Sequence, residues 1–425
     1  MPNAKTASDE PEKSWLEKLG PGLITGAADD DPSGIATYSQ AGAQFGFNML
    51  WTVLLTYPLM VGIQVVSAKI GRVSGHGLAT NIRNYYPAWL LYSVVGLLLI
   101  ANTINIAADV SAMGEALKLI VGGPAQLYSV VFGVVSLLLQ IFIPYRRYVR
   151  LLKWLTLSLL AYVATVFVVD IAWSQALASI VKPDFSWKQR YITTVVAVLG
   201  TTISPYLFFW QASQEVEDQL MDAQARPLIV APEQAKANLK RIKIDTYIGM
   251  GFSNLVAFFI ILTTAVTLNQ HGITDIQTSA QAAAALRPIA GEFAFMLFSA
   301  GIIGTGMLAI PILAGSSAYA MAEAFKWKAS LERKPMKEKK FYGIIAVSTL
   351  IGIGLGFTSL DPIKALYWSA VINGVISVPI MAVMMLMAAR SEIMGQFVIS
   401  IRLKLLGWLA TLMMALAVCA MLRTF

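Results

Sequence analysis

Residues 20–37 read Gly-Pro-Gly-Leu-Ile-Thr-Gly-Ala-Ala-Asp-Asp-Asp-Pro-Ser-Gly-Ile-Ala-Thr, so three consecutive acids and a proline interrupt an apolar run. A charged Asp at the centre of a membrane helix costs roughly 2.5–3.5 kcal/mol on insertion scales. Proline removes a backbone donor and glycine adds backbone freedom, so we expect the helix to break here. Unpaired backbone groups at membrane depth are tolerated where protein or a water-filled cavity receives them. The stretch therefore predicts a broken membrane helix that lines a cavity.

The composition of the whole chain is typical of a membrane protein. Its 425 residues are 57% hydrophobic and 13% charged, and the mean hydropathy is +0.65. A soluble domain carries about 25% charged residues, which is roughly twice as many. The sequence contains no phosphate-binding loop, zinc-ligand spacing or nucleophile–base arrangement, so we expect neither an enzyme nor a resident cofactor.

Eleven runs of the sequence are long enough to span a membrane, since a spanning helix needs about 20 mainly apolar residues. The predicted spans are 20–46, 48–70, 89–118, 125–145, 151–173, 191–213, 244–269, 284–323, 340–358, 362–388 and 398–421. Residues 1–19 are predicted to be a cytosolic tail, because they lack the apolar core and cleavage site of a signal peptide.

The distribution of basic residues predicts how these spans are oriented. With the N-terminus in the cytosol, 25 of the 32 Lys and Arg residues fall on the cytosolic side and seven fall outside. This split follows the positive-inside rule for a protein of the cell (inner) membrane. It also accounts for the net charge of +8 without a nucleic-acid partner. An odd number of spans then puts the C-terminus outside.

A second break is predicted in the sixth span, which reads Val-Leu-Gly-Thr-Thr-Ile-Ser-Pro-Tyr over residues 198–206. If residues 20–173 (spans 1–5) and 174–388 (spans 6–10) are two repeats, the two breaks occupy corresponding positions. Five spans per repeat make the repeats inverted, and residues 389–425 hold an eleventh span. Paired broken helices of this kind are the best sequence pointer to the binding site of a secondary transporter.

The first break resembles the first helix of the Nramp metal transporters. Their pattern Asp-Pro-Gly-Asn, followed by Gly-Gly-Ala-Gln-Phe-Gly, is similar to Asp31-Pro-Ser-Gly34 and Ala41-Gly-Ala-Gln-Phe-Gly46 here. The resemblance implies the leucine-transporter fold, which is an all-α polytopic membrane protein with an inverted five-plus-five repeat, here with one further span. It also implies uptake of divalent metal ions as transported substrate, often together with protons.

The chain keeps the aspartate of the family's metal site and departs at the other ligand positions. Asp31 matches the family aspartate, while Gly34 stands at the asparagine position. In the sixth span Thr201 replaces an alanine that offers its carbonyl, and Ser204 replaces the methionine. We therefore expect a metal site of Asp31, Gly34, the Ser204 hydroxyl and backbone carbonyls near Ala28 and Thr201.

These departures change the expected metal preference. A thioether favours soft and borderline metals such as manganese, iron or cadmium, and a hydroxyl at Ser204 removes that preference. Loss of the amide at Gly34 is expected to leave room for water, which suits magnesium because it dehydrates reluctantly. The pattern resembles the Nramp-related magnesium transporters, so magnesium is favoured. A proton-coupled manganese or iron symporter is one alternative, and an amino-acid or organic-cation carrier on the same fold is another.

Further polar residues are expected along the ion pathway. They are Asp29, Asp30, Asp109, Tyr206 and Asn373. Asp109 matches a family aspartate associated with proton movement, and Tyr206 stands at the family's histidine position after the proline. For Asp29 and Asp30 the alternative is that they only line an aqueous vestibule. For Asn373 it is a hydrogen bond between helices, which is common in membrane proteins.

The residues that follow the sixth span are expected on the cytosolic side. Glu215, Glu217 and Asp218 are predicted to form a solvated loop face, although acids here could also attract exiting cations. The expected partners of the whole protein are the lipid bilayer and the divalent metal ion, magnesium or manganese. Protons would join them as coupling ions, and nucleic acid is not expected.

Overall fold

The computed structural model describes residues 21–143, 157–331, 337–357 and 361–424, without the side chains of Leu23 and Ala27. These ranges contain helices and connecting turns and no strand. The longer helices are α1 (Pro21–Asp29), α2 (Pro32–Phe45), α3 (Leu50–Ser74), α4 (Leu78–Tyr85), α5 (Ala88–Val121), α6 (Ala125–Phe142), α8 (Trp173–Val181), α9 (Gln189–Thr202), α10 (Pro205–Met221), α11 (Ala235–Thr267), α14 (Ala294–Ala324), α15 (Lys339–Leu355), α16 (Pro362–Ala388) and α18 (Ile401–Thr424). Four short helices connect them, α7 (Leu160–Thr165), α12 (Ser279–Ala284), α13 (Arg287–Ala290) and α17 (Ser391–Met394). The predicted tail at 1–19 lies outside the described residues.

Within the described ranges, eight stretches are long and apolar enough to cross a membrane. One of them, Pro32–Ser74, contains the second half of the first predicted span and all of the second. The ninth predicted span corresponds to α15, which is 17 residues long and shorter than the other candidates. The fifth, predicted at 151–173, lies partly outside the described residues. The joined first and second spans, the short α15 and the partly undescribed fifth span together account for the difference between eleven predicted spans and eight observed stretches.

Both predicted breaks are present. Between α1 and α2 the backbone of Asp31 is extended, with φ −68° and ψ 171°, and Pro32 opens the next half-helix. Between α9 and α10 the backbone of Ser204 is also extended, and Pro205 opens α10. Proline is well tolerated at the first helical position, because its missing N–H would have no partner there. Each half-helix therefore restarts at a proline.

The two halves of the first broken helix both pack closely along α11. A Cβ at Gly26 in α1 would lie 2.2 Å from the carbonyl oxygen of Gly249. A Cβ at Gly42 in α2 would lie 2.3 Å from the carbonyl oxygen of Ile261. Such approaches need glycine, and small residues at membrane-helix contacts commonly allow backbones to approach in this way. Helix α11 thus holds α1 and α2 on either side of their break.

The second broken helix packs against other long helices. Helix α9 lies along α16, and α10 lies along α3 and α14. A Cβ at Gly200 in α9 would lie 2.1 Å from the carbonyl oxygen of Ala370 in α16. Helix α5 packs against α14, α15, α16 and α6. The two breaks consequently meet in the interior, surrounded by α5, α11, α14 and α16.

The acids after the second break are buried, so the expectation of a solvated loop face is wrong for Glu215 and Glu217. Helix α10 continues to Met221, and Glu215 is 0% and Glu217 5% exposed. Glu215 forms an ion pair with Arg241 of α11. Glu217 accepts hydrogen bonds from the hydroxyls of Tyr319 and Ser330. Their partners lie far along the chain, which is why a local reading of this stretch missed them.

Candidate metal site

Asp31 is buried at the start of α2, where its carboxylate caps the half-helix. The side chain is 1% exposed. Its Oδ1 accepts hydrogen bonds from the Gly34 backbone N–H at 2.8 Å and from the Ser33 hydroxyl at 2.7 Å. An Asp at this position satisfies a helix N–H that would otherwise lack a partner, and the positive end of the helix favours its charge. The local sequence therefore holds a carboxylate at the first break.

Tyr206, the second residue of α10, brings the second break to the first. Its hydroxyl oxygen lies 3.2 Å from the Ala28 carbonyl oxygen and 3.2 Å from Asp31 Oδ2. A carboxylate, a carbonyl and a hydroxyl oxygen thus converge between α1, α2 and α10. Across the described residues no three His, Cys, Asp or Glu side chains gather as a metal cluster. A cation held here would therefore use a single carboxylate together with carbonyl and hydroxyl oxygens.

Gly34 and Thr201 lie side by side across the two broken helices. A Cβ at Gly34 would lie 3.3 Å from Thr201 Oγ1, 3.3 Å from the Asp29 carbonyl oxygen and 3.3 Å from the Tyr38 ring. The expectation of open space for water beside Gly34 is therefore wrong in this conformation. The space left by the missing side chain is lined by the Thr201 hydroxyl and a backbone carbonyl, which are again oxygen donors.

Ser204 is turned back towards α9. Its hydroxyl donates to the carbonyl oxygens of Gly200 at 2.9 Å and Thr201 at 2.8 Å. The two predicted ligands of the sixth span, the Ser204 hydroxyl and the Thr201 carbonyl, therefore contact each other. A carbonyl oxygen has two lone pairs and a hydroxyl oxygen can accept as well as donate, so both atoms retain capacity for a cation.

Asp29 and Asp30 lie beside the site but face α11. They are 0% and 2% exposed. The Ser253 hydroxyl lies 2.6 Å from Asp29 Oδ2 and 3.1 Å from Asp30 Oδ1. The alternative that these acids line an aqueous vestibule is therefore wrong in this conformation. Both carboxylates instead share one hydroxyl inside the protein.

Asp109 lies in α5 and is fully buried. It is 0% exposed, and neither carboxylate oxygen accepts a hydrogen bond from any described residue. An intramembrane acid without a partner is costly, and such acids commonly mark ion or proton routes.

Asn373, the fifth predicted pathway residue, pairs with an asparagine of α5. Its Oδ1 accepts from Asn105 Nδ2 at 2.9 Å, and its Nδ2 donates to Asn105 Oδ1 at 3.2 Å. This reciprocal pair joins α5 to α16. The structure therefore matches the alternative of an interhelical hydrogen bond for this residue.

Two serines that contact the acids were missed by the sequence analysis. Ser33 donates to Asp31 and Ser253 bridges Asp29 and Asp30. Ser33 had a readable signal, since it is the second residue of a helix that begins after a capping aspartate. Ser253 had none, because it lies in a continuous apolar helix more than 200 residues away in sequence.

A family model described as natural resistance-associated macrophage protein-like matches residues 22–424, which is nearly the whole chain. The chain belongs to the Nramp family. It is accordingly a multi-pass membrane protein of a transporter family, and the resemblance read from the Asp31 stretch is confirmed at the family level. The matched residues include both helix breaks and extend to the end of α18.

Solved structures support the same fold for this Nramp-family chain. A manganese transporter of Eremococcus coleocola, in complex with an aromatic bis-isothiourea substituted compound, is similar with a TM-score of 0.71 and 18% identity. The similarity covers 98% of this chain and 91% of that one. Mhp1, a nucleobase-cation-symport-1 family transporter, has a TM-score of 0.58 and 14% identity, over 96% and 93% of the two chains. MhsT in complex with L-phenylalanine has a TM-score of 0.57 and 13% identity, over 95% and 98%. The predicted leucine-transporter fold is confirmed.

Proposed function

We propose that this protein moves a divalent metal cation across the cell membrane by alternating access, with the ion held between the two helix breaks. Family membership supports metal transport, and the convergence of Asp31, Ala28 and Tyr206 oxygens supports this location. Broken helices near the membrane midplane, with unwound carbonyls facing a cation, are the recurring arrangement of secondary transporters. Asp31 supplies the charge that balances the ion.

Magnesium is the favoured substrate because the converging ligands are oxygens. Carboxylate, carbonyl and hydroxyl groups suit hard cations such as magnesium, while thioether and thiolate ligands select softer metals. Ser204, where the family carries methionine, contributes oxygen only. Manganese is the second candidate, supported by the similar fold of the Eremococcus coleocola manganese transporter.

Competition in proteoliposomes tests the substrate. We expect saturable magnesium uptake that manganese inhibits weakly, and we expect Asp31→Ala protein to show no uptake of either ion. Uptake of manganese without magnesium uptake would overturn the preferred substrate while leaving metal transport intact. The matched control is Asn238→Ala, because Asn238 is a partly buried polar residue near the start of α11 that contacts Gln234 and no acid of the site.

Opening of the site towards the cytosol requires contacts between α10 and α14 to separate. Ser213 of α10 donates to Glu323 of α14 at 3.1 Å, and Glu323 also accepts from the Thr80 backbone N–H at 2.9 Å. Glu217 of α10 is bonded to Tyr319 of α14. With Asp31 only 1% exposed, the described conformation is closed around the site. Alternating access would break these contacts as one helix group rocks against the other.

Asp109 is our candidate for a proton acceptor coupled to metal movement. It is buried and accepts no hydrogen bond from the described residues. We expect Asp109→Asn to keep metal binding but to lose metal-driven proton flux, measured with a pH-sensitive dye inside the vesicles. Equal proton flux in the wild type and in Asp109→Asn would exclude this role.

The orientation and repeat organisation belong to the same proposal. We place the N-terminus in the cytosol and the C-terminus outside, as supported by the unequal distribution of Lys and Arg. Residues 20–173 and 174–388 would form the inverted repeats, with residues 389–425 as an added span. A Cys419→Ser/Arg423→Cys protein places the thiol just after the predicted span 398–421, at an exposed position. Labelling of this thiol by a membrane-impermeant reagent from outside the cell would support the orientation, and labelling from the cytosolic side alone would reverse it.

An amino-acid or organic-cation carrier is the second candidate function. The similar folds of MhsT with L-phenylalanine and of Mhp1 with a hydantoin favour it. Three adjacent acids at the break would repel a carboxylate substrate, which weakens the case for amino acids. An Asp31→Ala protein that still transported an organic substrate would support this candidate over the first.

A further inference from the structure

A cavity of about 400 Å³ lies at the end of the molecule where α9 and α16 begin. In the proposed orientation this end faces outside. Its wall includes the polar and charged residues Arg190, Thr193, Lys364, Tyr367, Gln44 and Asp275. The cavity is separate from the metal site, since Gln40 and Gln44 of its wall lie about 14 Å and about 20 Å along α2 from Asp31, at a rise of 1.5 Å per residue.

Two exposed cations, Arg190 and Lys364, line this cavity. Neither Arg190 nor Lys364 forms an ion pair with a carboxylate among the described residues. The acid in the wall, Asp275, already accepts a hydrogen bond from the side chain of Gln40 at 3.0 Å. The cavity therefore has an excess of positive charge, which is unexpected at the outer end of a protein that carries cations.

The wall of the cavity also supplies a hydroxyl, that of Thr193. Thr193 is 6% exposed and lines the cavity. In the described part of the chain its hydroxyl has no hydrogen bond. The adjacent Thr194 differs, because its hydroxyl bonds to Gln44 at 3.1 Å and to Tyr367 at 2.9 Å. A hydroxyl that is open to the cavity beside two cations is a donor that a bound ligand can use.

The backbone adds to the same positive potential. Arg190 is the second residue of α9, whose first turn has no side-chain cap. Lys364 is the third residue of α16, where the Asp361 carboxylate already accepts hydrogen bonds from the Ile363 and Lys364 N–H groups. Helix N-termini carry a partial positive charge and favour anions. The uncapped first turn of α9, two exposed cationic side chains and the Thr193 hydroxyl therefore line one open cavity.

We propose that this cavity binds a small multivalent oxyanion, of the class of inorganic phosphate or a dicarboxylate. Arg190 and Lys364 would pair with the anion's oxygens, and Thr193 would donate to one of them. An Arg guanidinium suits such oxygens because its donors form a planar fork. A bound anion would offset the positive charge that an entering divalent cation meets at this end. The site does not depend on the metal proposal, because it shares no residue with the Asp31 site.

Equilibrium binding of radiolabelled phosphate, and separately of radiolabelled malonate, to the purified full-length protein tests this site. We expect saturable binding of at least one probe at low ionic strength near neutral pH. The double variant Arg190→Gln/Lys364→Gln should bind that probe at least about tenfold more weakly, and Thr193→Val severalfold more weakly, since charge-assisted hydrogen bonds are lost. Phosphate binding alone would identify a tetrahedral oxyanion, and malonate binding alone a dicarboxylate.

The matched control is Lys182→Gln/Lys188→Gln. Both lysines are exposed near the start of α9, outside the cavity wall, and the control removes the same charge. Loss of binding in the cavity variant with retention in this control supports the site. Equal loss in both variants, or no saturable binding of either probe by the wild type, overturns it. Asp31→Asn protein should retain anion binding, so failure of the metal proposal is separable from failure of this one.

Discussion

At the first helix break the Asp31 carboxylate accepts hydrogen bonds from the following half-helix, whereas at the second the Ser204 hydroxyl donates back to the preceding one. Asp31 accepts from the Gly34 N–H at 2.8 Å. Ser204 donates to the Gly200 and Thr201 carbonyls at 2.9 and 2.8 Å, and no side chain caps α10. The first break therefore presents negative charge, while the second presents neutral oxygens and an uncapped helix start.

This difference suggests that the two breaks have different roles in the proposed metal site. Asp31 would determine whether a cation binds at all, because it is the charged group of the converging set. Residues of the second break would determine which cation binds and how the two broken helices stay connected. Tyr206 makes that connection, since its hydroxyl lies 3.2 Å from both Ala28 and Asp31 oxygens. Variants of each break should therefore have effects of different kind and size.

The largest expected effect is loss of metal transport when the charge of the first break is removed. Asp31→Asn and Asp31→Ala should each reduce uptake at least about 100-fold, which corresponds to about 2.7 kcal/mol. Asn still caps a helix well, while Ala does not, so only Asp31→Ala should also destabilise the fold, by about 1 kcal/mol. Metal flux measures the effect of the lost charge in both variants, and thermal unfolding measures the effect of the lost helix cap. Normal uptake by Asp31→Asn would place the charge elsewhere.

A thioether introduced at the second break should change selectivity. Ser204→Met should shift the ratio of manganese to magnesium affinity by about tenfold towards manganese, because a soft ligand favours the softer ion. Ser204→Leu is the matched control, since it has similar volume and no sulfur. Competition binding of the two metals measures the ratio. An equal shift in both variants would attribute the effect to size or to loss of the hydroxyl.

Removal of the bridge between the breaks should have a smaller effect. Tyr206→Phe keeps the ring and deletes the hydroxyl that contacts Asp31 and Ala28. We expect metal affinity to fall about three- to tenfold, in the range of one hydrogen bond to a charged group. Tyr367→Phe, at the outer cavity, is the matched control. Tighter metal binding by Tyr206→Phe would mean that the hydroxyl competes with the ion for Asp31.

The smallest expected effect concerns the acids that face away from the site. Ser253→Ala removes the hydroxyl shared by Asp29 and Asp30. A buried acceptor left without its donor costs about 1–3 kcal/mol, so thermal stability should fall while metal affinity changes less than about twofold. Ser348→Ala in α15 is the control, because its hydroxyl bonds only to its own helix. A large loss of metal affinity in Ser253→Ala would bring Asp29 and Asp30 into the metal site.

The sequence was sufficient to predict both breaks and most of the spans because their signals are local. Proline, glycine and a run of acids act on the backbone within one or two turns, so Pro32 and Pro205 mark the restart of each half-helix. Apolar length likewise identifies a span without reference to its neighbours. The family pattern then located the retained aspartate at Asp31.

The arrangement around the breaks could not be predicted, since it depends on contacts between distant residues. Glu215 lies in a stretch with three acids in four residues, 215–218, which suggests a solvated surface, yet it is buried in an ion pair with Arg241 of another helix. The space at Gly34 is filled by Thr201, which lies on the other broken helix. No local pattern indicated that Ser204 would turn back onto α9 and leave Tyr206 to reach Asp31. These contacts depend on how the helices pack together, and no local pattern in a single sequence indicates them.

Calorimetric titration of magnesium and of manganese into the purified wild type and Asp31→Asn tests the central proposal most directly. We expect saturable binding of both ions to the wild type, with magnesium binding detectable in the presence of manganese, and no binding of either ion to Asp31→Asn. The Asn238→Ala control should bind as the wild type does. Undiminished binding to Asp31→Asn would contradict a metal site built on the carboxylate of the first helix break.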